Sequence, residues 1–234
     1  MRVEIWSDIV CPWCYIGRRR FEKALARFEH RDQVEIVWRS FQLDPNWPRQ
    51  YDGTVNDLLM QKYGMGRREA EAAHEKVIAL AAEEGLDYRF DIARPGNSFD
   101  AHRVLHLAAQ HGLQGEMKER LQHAYFTEGL AYSDHATLVK LASEVGLDAD
   151  EVRKTLETDA YAPNVRADMM RARLIGINGV PFFLFDEKYA VSGAQRSEVF
   201  TTALERTWQD FHQAVEVIDG GQDGEVCEDE SCAL

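Results

Sequence analysis

The sequence predicts an α/β fold in which a sheet-forming core is interrupted by an all-helical insertion. Three observations support this prediction. Strand-like and helix-like segments alternate over residues 2–38, residues 54–175 carry only helical patterning, and strand-like segments return after residue 180. The alternation of strand, helix and strand is typical of a βαβ unit. We therefore expect residues 1–53 and 176–218 to form one core around a separate helical domain.

The N-terminal part of the core carries a strand, a helix and a second strand. Residues 2–6 alternate polar and apolar side chains, as a half-buried strand does. Apolar residues then recur at roughly helical spacing between Tyr15 and Glu29. Residues 34–38 are rich in β-branched and aromatic side chains, which favour a second strand. The three arginines at 18–20 are predicted to form a solvated face of the helix.

Capping residues and glycines divide the predicted helical domain, which spans residues 54–175. Polar side chains at a helix start accept hydrogen bonds from free backbone N–H groups. Glycine ends helices because it adopts the left-handed conformation without steric cost. By these signals, helices begin near Thr54 or Asp57, Glu69, Ser98, Ser133 or Asp134, Asp148 and Ala160. The last helix ends near Leu174, and no separate helix is assigned between residues 112 and 133.

Strand patterns return in the C-terminal part of the core. Residues 181–185 and 189–192 are two short strand candidates joined by a polar turn, and a closing helix follows from residue 196 to about 217. Residues 219–234 are acidic and rich in glycine, which is typical of a flexible tail. The layout of βαβ, helical insertion and ββα is that of a thioredoxin fold interrupted once.

The motif Cys11-Pro12-Trp13-Cys14 lies directly after the first strand and opens the first helix. At a helix N-terminus, free N–H groups and the helix dipole favour a thiolate, which is the attacking species in disulfide exchange. Pro12 is tolerated there because its missing N–H would have been unpaired anyway. We predict that Cys11 is the nucleophile and that Cys14 is the resolving thiol. The alternative, half of a zinc site, needs further ligands at suitable spacing.

A second motif, residues 179–181, places a proline just before a predicted strand. A proline is normally excluded from a central strand, and X–Pro bonds adopt the cis form at low cost. A cis Val180–Pro181 peptide would expose backbone groups beside Cys11 for a substrate's extended chain. The alternative is an ordinary proline at the first residue of an edge strand. The predicted substrate-binding residues are Pro12, Trp13, Val180 and Pro181.

Three segments, residues 6–17, 97–103 and 176–183, resemble the DsbA-like thioredoxin family, and most closely its FrnE-type branch. The middle segment is shared with isomerase and kappa-class glutathione transferase relatives, so it indicates the superfamily only. The resemblance implies a helical domain over the active site, a cis proline at Pro181, and disulfide exchange on protein or peptide substrates. It implies no organic cofactor, with glutathione or a thioredoxin system as the electron partner.

The dipeptide between the two cysteines departs from that of the strongly oxidising DsbA-type proteins, which have Pro-His. Trp13 carries no positive charge to stabilise the Cys11 thiolate, so oxidase, reductase and isomerase roles stay open. A glutathione-dependent isomerase or transferase of the same fold is a rival interpretation. Those relatives typically have serine in place of the first cysteine, and Cys11 with Cys14 argues against it.

A second cysteine pair, Cys227 and Cys232, lies in the acidic tail. The carboxylates between these thiols disfavour their ionisation. Three interpretations are open: a redox pair that exchanges electrons with the first motif, a soft-metal site of a non-enzymatic stress protein, and an incidental pair. His102 and His106 share a helix face, where they offer either a zinc site or a packing role.

The charge and hydropathy of the chain limit the classes of partner that it is expected to bind. The 234 residues carry a formal net charge of -13, which argues against nucleic acid and anionic membrane surfaces. No run approaches the ~20 apolar residues of a membrane span, and the N-terminus lacks the pattern of a signal peptide. We therefore expect a cytoplasmic protein, in which paired cysteines serve catalysis or metal binding rather than structure.

Overall fold

The computed structural model describes residues 1–211. The end of the predicted closing helix, residues 212–217, and the tail pair Cys227 and Cys232 lie outside the described residues. The strands are β1 (Arg2–Ser7), β2 (Glu35–Ser40), β3 (Phe182–Phe185) and β4 (Tyr189–Ser192). The helices are α1 (Pro12–Arg27), α2 (Val55–Tyr63), α3 (Arg67–Glu83), α4 (Phe99–Gln110), α5 (Gln114–Phe126), α6 (His135–Glu144), α7 (Ala149–Glu157), α8 (Ala162–Leu174) and α9 (Ser197–Phe211).

The four strands form one mixed sheet in the order β2-β1-β3-β4. β1 is parallel to β2 across α1, which confirms the predicted βαβ unit, and it is antiparallel to β3. β3 and β4 form an antiparallel hairpin. In this register Ile5 of the central strand lies between Trp38 of β2 and Phe183 of β3. The sheet therefore has the strand arrangement expected for a thioredoxin fold.

Helices α1 and α9 cover one face of the sheet with a core rich in aromatic rings. Successive strand residues point to opposite faces, so Val3 and Ile5 both face these helices. The ring of Phe183 lies 5.5 Å from that of Phe21 on α1 and 4.6 Å from that of Phe200 on α9, measured between ring centroids. Because these rings are fully buried, they fix the position of α1 on the sheet.

Helix α8 covers the opposite face of the sheet. Trp6 of β1 packs there with Ala172 of α8 and Ile177, and its indole N–H donates to the carbonyl of Asp168 at 3.1 Å. The Asp168 carboxylate also accepts the backbone N–H of Ser40 on β2 at 2.9 Å. Although α8 falls within the range predicted as an insertion, it is therefore anchored to the sheet. The domain boundaries stay a prediction.

The other helices of the insertion share a second hydrophobic core, and several of them begin at the predicted caps. The Thr54 hydroxyl accepts the N–H of Asp57 at 3.2 Å and the Asp57 carboxylate accepts the N–H of Thr54, a complete capping box. The carboxylates of Asp134 and Asp148 also accept backbone N–H groups and so cap α6 and α7. None of the helices in the described part of the chain is long and apolar enough to cross a bilayer.

Helix α5 was not assigned from the sequence, and its composition explains why. It begins after Leu113, which offers no side-chain cap, and Gly115 lies in its first turn. Its buried face includes Lys118 and Gln122 beside apolar residues, so the hydrophobic periodicity that marks an amphipathic helix is interrupted by polar side chains.

We predict that Phe183→Ala lowers the free energy of unfolding by about 3–5 kcal/mol, because it removes a fully buried ring and leaves a cavity between α1 and α9. Chemical denaturation monitored by circular dichroism measures the change. The matched control is Leu174→Ala, since Leu174 is 79% exposed, and its effect should stay within about 0.5 kcal/mol. Equal losses in the two variants would contradict the packing described for the sheet.

Candidate active site

The two cysteines of the first motif lie where the central strand delivers the chain to the start of α1. Cys11 is the N-cap residue and Pro12 occupies the first helical turn, as predicted. The backbone N–H of Cys14 donates to the carbonyl of Cys11 at 3.0 Å, which closes the first turn. Both thiols are free and buried, with Cys11 only 3% exposed. The sequence thus places Cys11 at the helix end and Cys14 inside the helix.

The loop before β3 lies against Cys11. The Val180–Pro181 peptide is cis, which confirms that prediction. The Cys11 thiol is 3.5 Å from the Val180 carbonyl, to which it donates. Close approach of α1 to this loop requires glycine at position 17, because a Cβ there would lie 2.9 Å from Pro181 Cγ. The structure therefore brings together the two motifs, which are 169 residues apart.

A cluster of buried polar groups lies behind the cysteines. Asp8 follows β1 and accepts the backbone N–H groups of Ile9 and Leu43, both at 2.8 Å. Its carboxylate is 3.3 Å from Nε2 of His102 on α4. Lys118 of α5 is 1% exposed and donates from Nζ to the carbonyl of Ser7 at 3.4 Å. The insertion thus places an ammonium group against the end of the central strand.

Burial lowers the pKa of Lys118 to about 8, although the nearby Cys14 and Asp8 favour its charged form. Burial also opposes ionisation of Asp8, but its hydrogen bond and ion pair with His102 and the Leu43 N–H hold its pKa below the ordinary value. Burial lowers the pKa of His102 as well. At neutral pH the Lys118 ammonium is therefore largely protonated and the Asp8 carboxylate is ionised.

The two thiols titrate together, with one ionisation made easier and the other harder. Burial disfavours a Cys14 thiolate, but a hydrogen bond from Cys11 and the positive charge of Lys118 outweigh burial and lower the Cys14 pKa. The hydrogen bond to Cys14 and burial raise the Cys11 pKa. The sequence predicts the lowered pKa at Cys11, and this stays a prediction, because the two thiols share one easier ionisation and the buried cation favours a thiolate on the Cys14 side.

Cys11, and not Cys14, lines a cavity of about 850 Å³ between the core and the insertion. Helices α2 and α3 form one wall of this cavity, and Trp13, Gly179 and Val180 form part of the other. Trp13, which lines the cavity, is 40% exposed. A substrate sulfur that enters the cavity therefore meets the Cys11 sulfur first.

The two histidines of α4 serve hydrogen bonding and packing. His102 is fixed by Asp8, and Nε2 of His106 lies 3.1 Å from the Asp168 carboxylate and 3.2 Å from the Ser40 hydroxyl. Within residues 1–211, no group of three histidine, cysteine or acidic side chains is arranged to hold a metal ion.

The prediction of a solvated arginine face on α1 is wrong for Arg18, which is buried. Its guanidinium lies 3.4 Å from the Glu119 carboxylate, donates to the carbonyl of Gly115 at 3.1 Å and lies over the ring of Trp38. Arg19 pairs with the same Glu119. These contacts attach α5 to α1, so the arginines hold Lys118 beside the cysteines.

A family model described as the DSBA-like thioredoxin domain matches residues 2–205. The chain belongs to this family. A relative from Bacillus subtilis (strain 168), the uncharacterized protein YwbO, is 31% identical over 206 residues, which are 87% of this chain and 96% of that protein. The match confirms the thioredoxin-like fold with a helical insertion.

Solved structures resemble this DSBA-like chain along most of its length. A probable DsbA oxidoreductase from Streptomyces coelicolor is 46% identical, with a TM-score of 0.88, and the match covers 100% of this chain and 99% of that one. The cytosolic disulfide reductase DsbM from Pseudomonas aeruginosa shares the fold, with a TM-score of 0.62 at 16% identity over 89% of this chain and 99% of that one.

Sequence reasoning missed three polar residues of this DSBA-like site. Asp8 lies three residues before Cys11, and a carboxylate that directly follows an apolar strand was the signal that could have revealed it. Lys118 and His74, an α3 residue that lines the cavity, have no such signal, because each lies on a helix among other charged residues. Only the packing of α5 and α3 on the core brings them to the cysteines and the cavity.

We predict that Lys118→Met slows disulfide exchange about tenfold at neutral pH, the change that accompanies a rise of one unit in the thiol pKa. The variant removes the buried positive charge that favours the Cys14 thiolate. Thiolate ultraviolet absorbance against pH measures the shift directly. Because wild-type Lys118 itself loses its proton near pH 8, the difference in rate should narrow above that pH.

The matched control for this prediction is Lys140→Met, which removes an exposed lysine on α6. It should leave both the thiol titration and the rate unchanged. A thiol titration that is the same in Lys118→Met and wild type would contradict an electrostatic role for Lys118.

Proposed function

We propose that the protein is a thiol–disulfide oxidoreductase that exchanges disulfides with protein or peptide substrates through Cys11 and Cys14. One observation carries this proposal: Cys11 lines a substrate-sized cavity, whereas Cys14 does not line it and lies near a buried ammonium group. The 46% identity to a probable DsbA oxidoreductase supports the same class of reaction.

In the reductive direction, the proton shared by the two thiols moves to Cys14 and the Cys11 thiolate attacks a substrate sulfur. A bond forms between that sulfur and Cys11, the substrate disulfide breaks, and the first substrate thiolate leaves and takes up a proton. Cys14 then loses its proton and attacks the Cys11 sulfur, which releases the second substrate thiol. The substrate gains two electrons and the cysteine pair is oxidised to a disulfide; the reverse sequence oxidises a dithiol.

The backbone of Val180 is suited to hold the substrate chain during these steps. Its carbonyl accepts only the Cys11 thiol among the described residues, and its N–H has no partner among them. An extended peptide can pair with both groups, as a strand added to a sheet edge does. Pro181, Pro12 and Trp13 complete the proposed substrate-binding set around Cys11.

Two narrower assignments stay predictions. One is membership of the FrnE-type branch, and the other is a cytoplasmic location with glutathione or a thioredoxin system as electron partner. The rival activity, a glutathione-dependent isomerase or transferase, is disfavoured by the second thiol. Cys14 is fully buried beside Cys11, where it can resolve a mixed disulfide, and an isomerase that uses glutathione as a cofactor has no need of such a thiol.

We predict that Cys11→Ser abolishes insulin reduction and that Cys14→Ser accumulates mixed disulfides with substrates. The first variant removes the thiol of the cysteine that lines the cavity, and the second removes the thiol that releases the product. Turnover assays and mass spectrometry of the trapped species measure the two effects. Near-normal insulin reduction by Cys11→Ser would refute the proposed role of Cys11.

We also predict that Trp13→His makes the protein more oxidising, because an imidazolium beside the pair stabilises its reduced, ionised form. Trp13 is partly exposed, so the histidine can be protonated. Equilibration with glutathione redox buffers gives the potential. Trp13→Phe is the uncharged control, and equal potentials for the two variants would count against the charge argument.

A further inference from the structure

The cavity beside Cys11 is larger than disulfide exchange alone requires. Its volume of about 850 Å³ is in the range of ~300–1,000 Å³ that is typical of sites for drug-sized ligands, and several side chains fit in it. Apolar residues form most of its walls. Those that α2 and α3 contribute include Val55, Leu58, Leu59, Ala73, Val77 and Leu80.

Most charged groups around this cavity are already engaged by other groups. Lys62 lies 3.8 Å from the Asp44 carboxylate and over the ring of Trp47. The Glu69 carboxylate accepts the N–H of Gly66 at 3.3 Å. Among the described residues that line the cavity, Lys76 is the one cation without an ion pair. A ligand with several carboxylates therefore finds little compensating charge, whereas an apolar ligand finds a matching wall.

His74 of α3 is the exception to this pattern. It is 9% exposed and lines the cavity, and its ring stacks on Phe90 at 4.2 Å between centroids, which fixes the ring plane. Neither ring nitrogen has a hydrogen-bond partner among the described residues. Burial lowers the pKa of His74, so the ring is neutral at neutral pH. A neutral imidazole has one donor and one acceptor nitrogen.

Because the His74 nitrogens have no protein partner among the described residues, they are available to a ligand in the cavity. A peptide group offers both the acceptor and the donor that a neutral imidazole can use. Val180 also lines the cavity; its backbone N–H has no partner among the described residues and its carbonyl accepts only the Cys11 thiol, so an extended chain can pair with it. These observations favour a polypeptide substrate over a small thiol or disulfide substrate that carries several charges.

We propose that this cavity binds apolar residues adjacent to the reacting cysteine of a polypeptide substrate, and that His74 is a substrate-binding residue that hydrogen-bonds the substrate's main chain. This inference rests on the proposed function and names its substrate class: disulfides flanked by large apolar side chains. We also expect a small, polar disulfide such as oxidised glutathione to react more slowly than these polypeptide disulfides.

The test uses the reduced full-length protein in single turnover, so no external reductant is needed. Its substrates are peptides with one cysteine joined to thionitrobenzoate, and they differ only in the two residues that follow the cysteine, which are Leu-Leu or Ser-Ser. Attack of Cys11 on the peptide sulfur releases coloured thionitrobenzoate. We expect the Leu-Leu peptide to react about tenfold faster, because two buried leucines contribute transfer free energy that two serines do not.

Three histidine variants separate binding from folding. His74→Phe keeps the ring stack and removes both hydrogen-bonding nitrogens, and we expect a loss of about threefold to tenfold with the Leu-Leu peptide, the range of one hydrogen bond. His74→Asn keeps a donor and an acceptor and should recover part of the rate. His111→Phe changes an exposed histidine and should have no effect. Hydroxyethyl disulfide, which carries neither a peptide group nor a large apolar side chain, should react equally with all of them.

Equal rates for the two peptides, or a His74→Phe loss that is as large with hydroxyethyl disulfide, would overturn the inference while leaving the proposed function intact. A small aromatic disulfide that reacts faster than every peptide would overturn the assignment to polypeptides. Failure of hydroxyethyl disulfide to react with wild type in a Cys11-dependent way would instead refute the proposed function itself.

Discussion

Helix α1 packs against two hydrophobic cores, and the position of the reactive sulfur depends on this double contact. Near its start, Tyr15 and Ile16 belong to the core of the helical insertion. Further along, Phe21 and Ala24 belong to the core between the sheet and α9. Because one rigid helix is held by both cores, its N-terminus is fixed relative to both the sheet and the insertion. Cys11 therefore lies where a cleft between the two parts opens.

The buried polar groups behind the cysteines are costly to the fold, and their hydrogen bonds reduce that cost. Placing an ammonium and a carboxylate in a protein interior carries a desolvation penalty of several kcal/mol for each ion. Asp8 recovers part of it through two backbone N–H groups and His102, whereas the Lys118 ammonium has one carbonyl partner at 3.4 Å and the ring of Trp38 at 5.9 Å among the described residues. These contacts offset only part of the desolvation penalty of Lys118. A buried ammonium group favours the ionised form of a nearby thiol, which agrees with a role for Lys118 in forming the thiolate.

The sequence was informative wherever a local pattern carries the structural signal. The Cys11–Cys14 motif predicted a helix start, the proline at 181 predicted a cis peptide, and capping side chains such as Thr54 predicted helix boundaries. The sequence was uninformative wherever the burial of a residue depends on tertiary packing. Helix α5 buries Lys118, a residue type that is almost never fully buried, so its inward face looked solvent-exposed. Arg18 was assigned to solvent for the same reason.

Two different helices of the insertion affect two different requirements of the reaction, the ionisation of the thiols and the binding of the substrate. Helix α5 provides the charge that affects the cysteine sulfurs, and α3 provides the cavity wall that the substrate meets. These helices reach the site from separate positions: α5 is tied to α1 by Glu119 and its arginine partners, and α3 is tied to α1 by Glu84, the residue after its last turn, which pairs with Arg20 and Lys23. Because ionisation and substrate contact depend on residues without shared partners, substitutions in the two sets should act nearly additively. A thioredoxin core with an insertion of this kind can thus change its substrate range through α3 while the ionisation of its thiols stays under the control of α5.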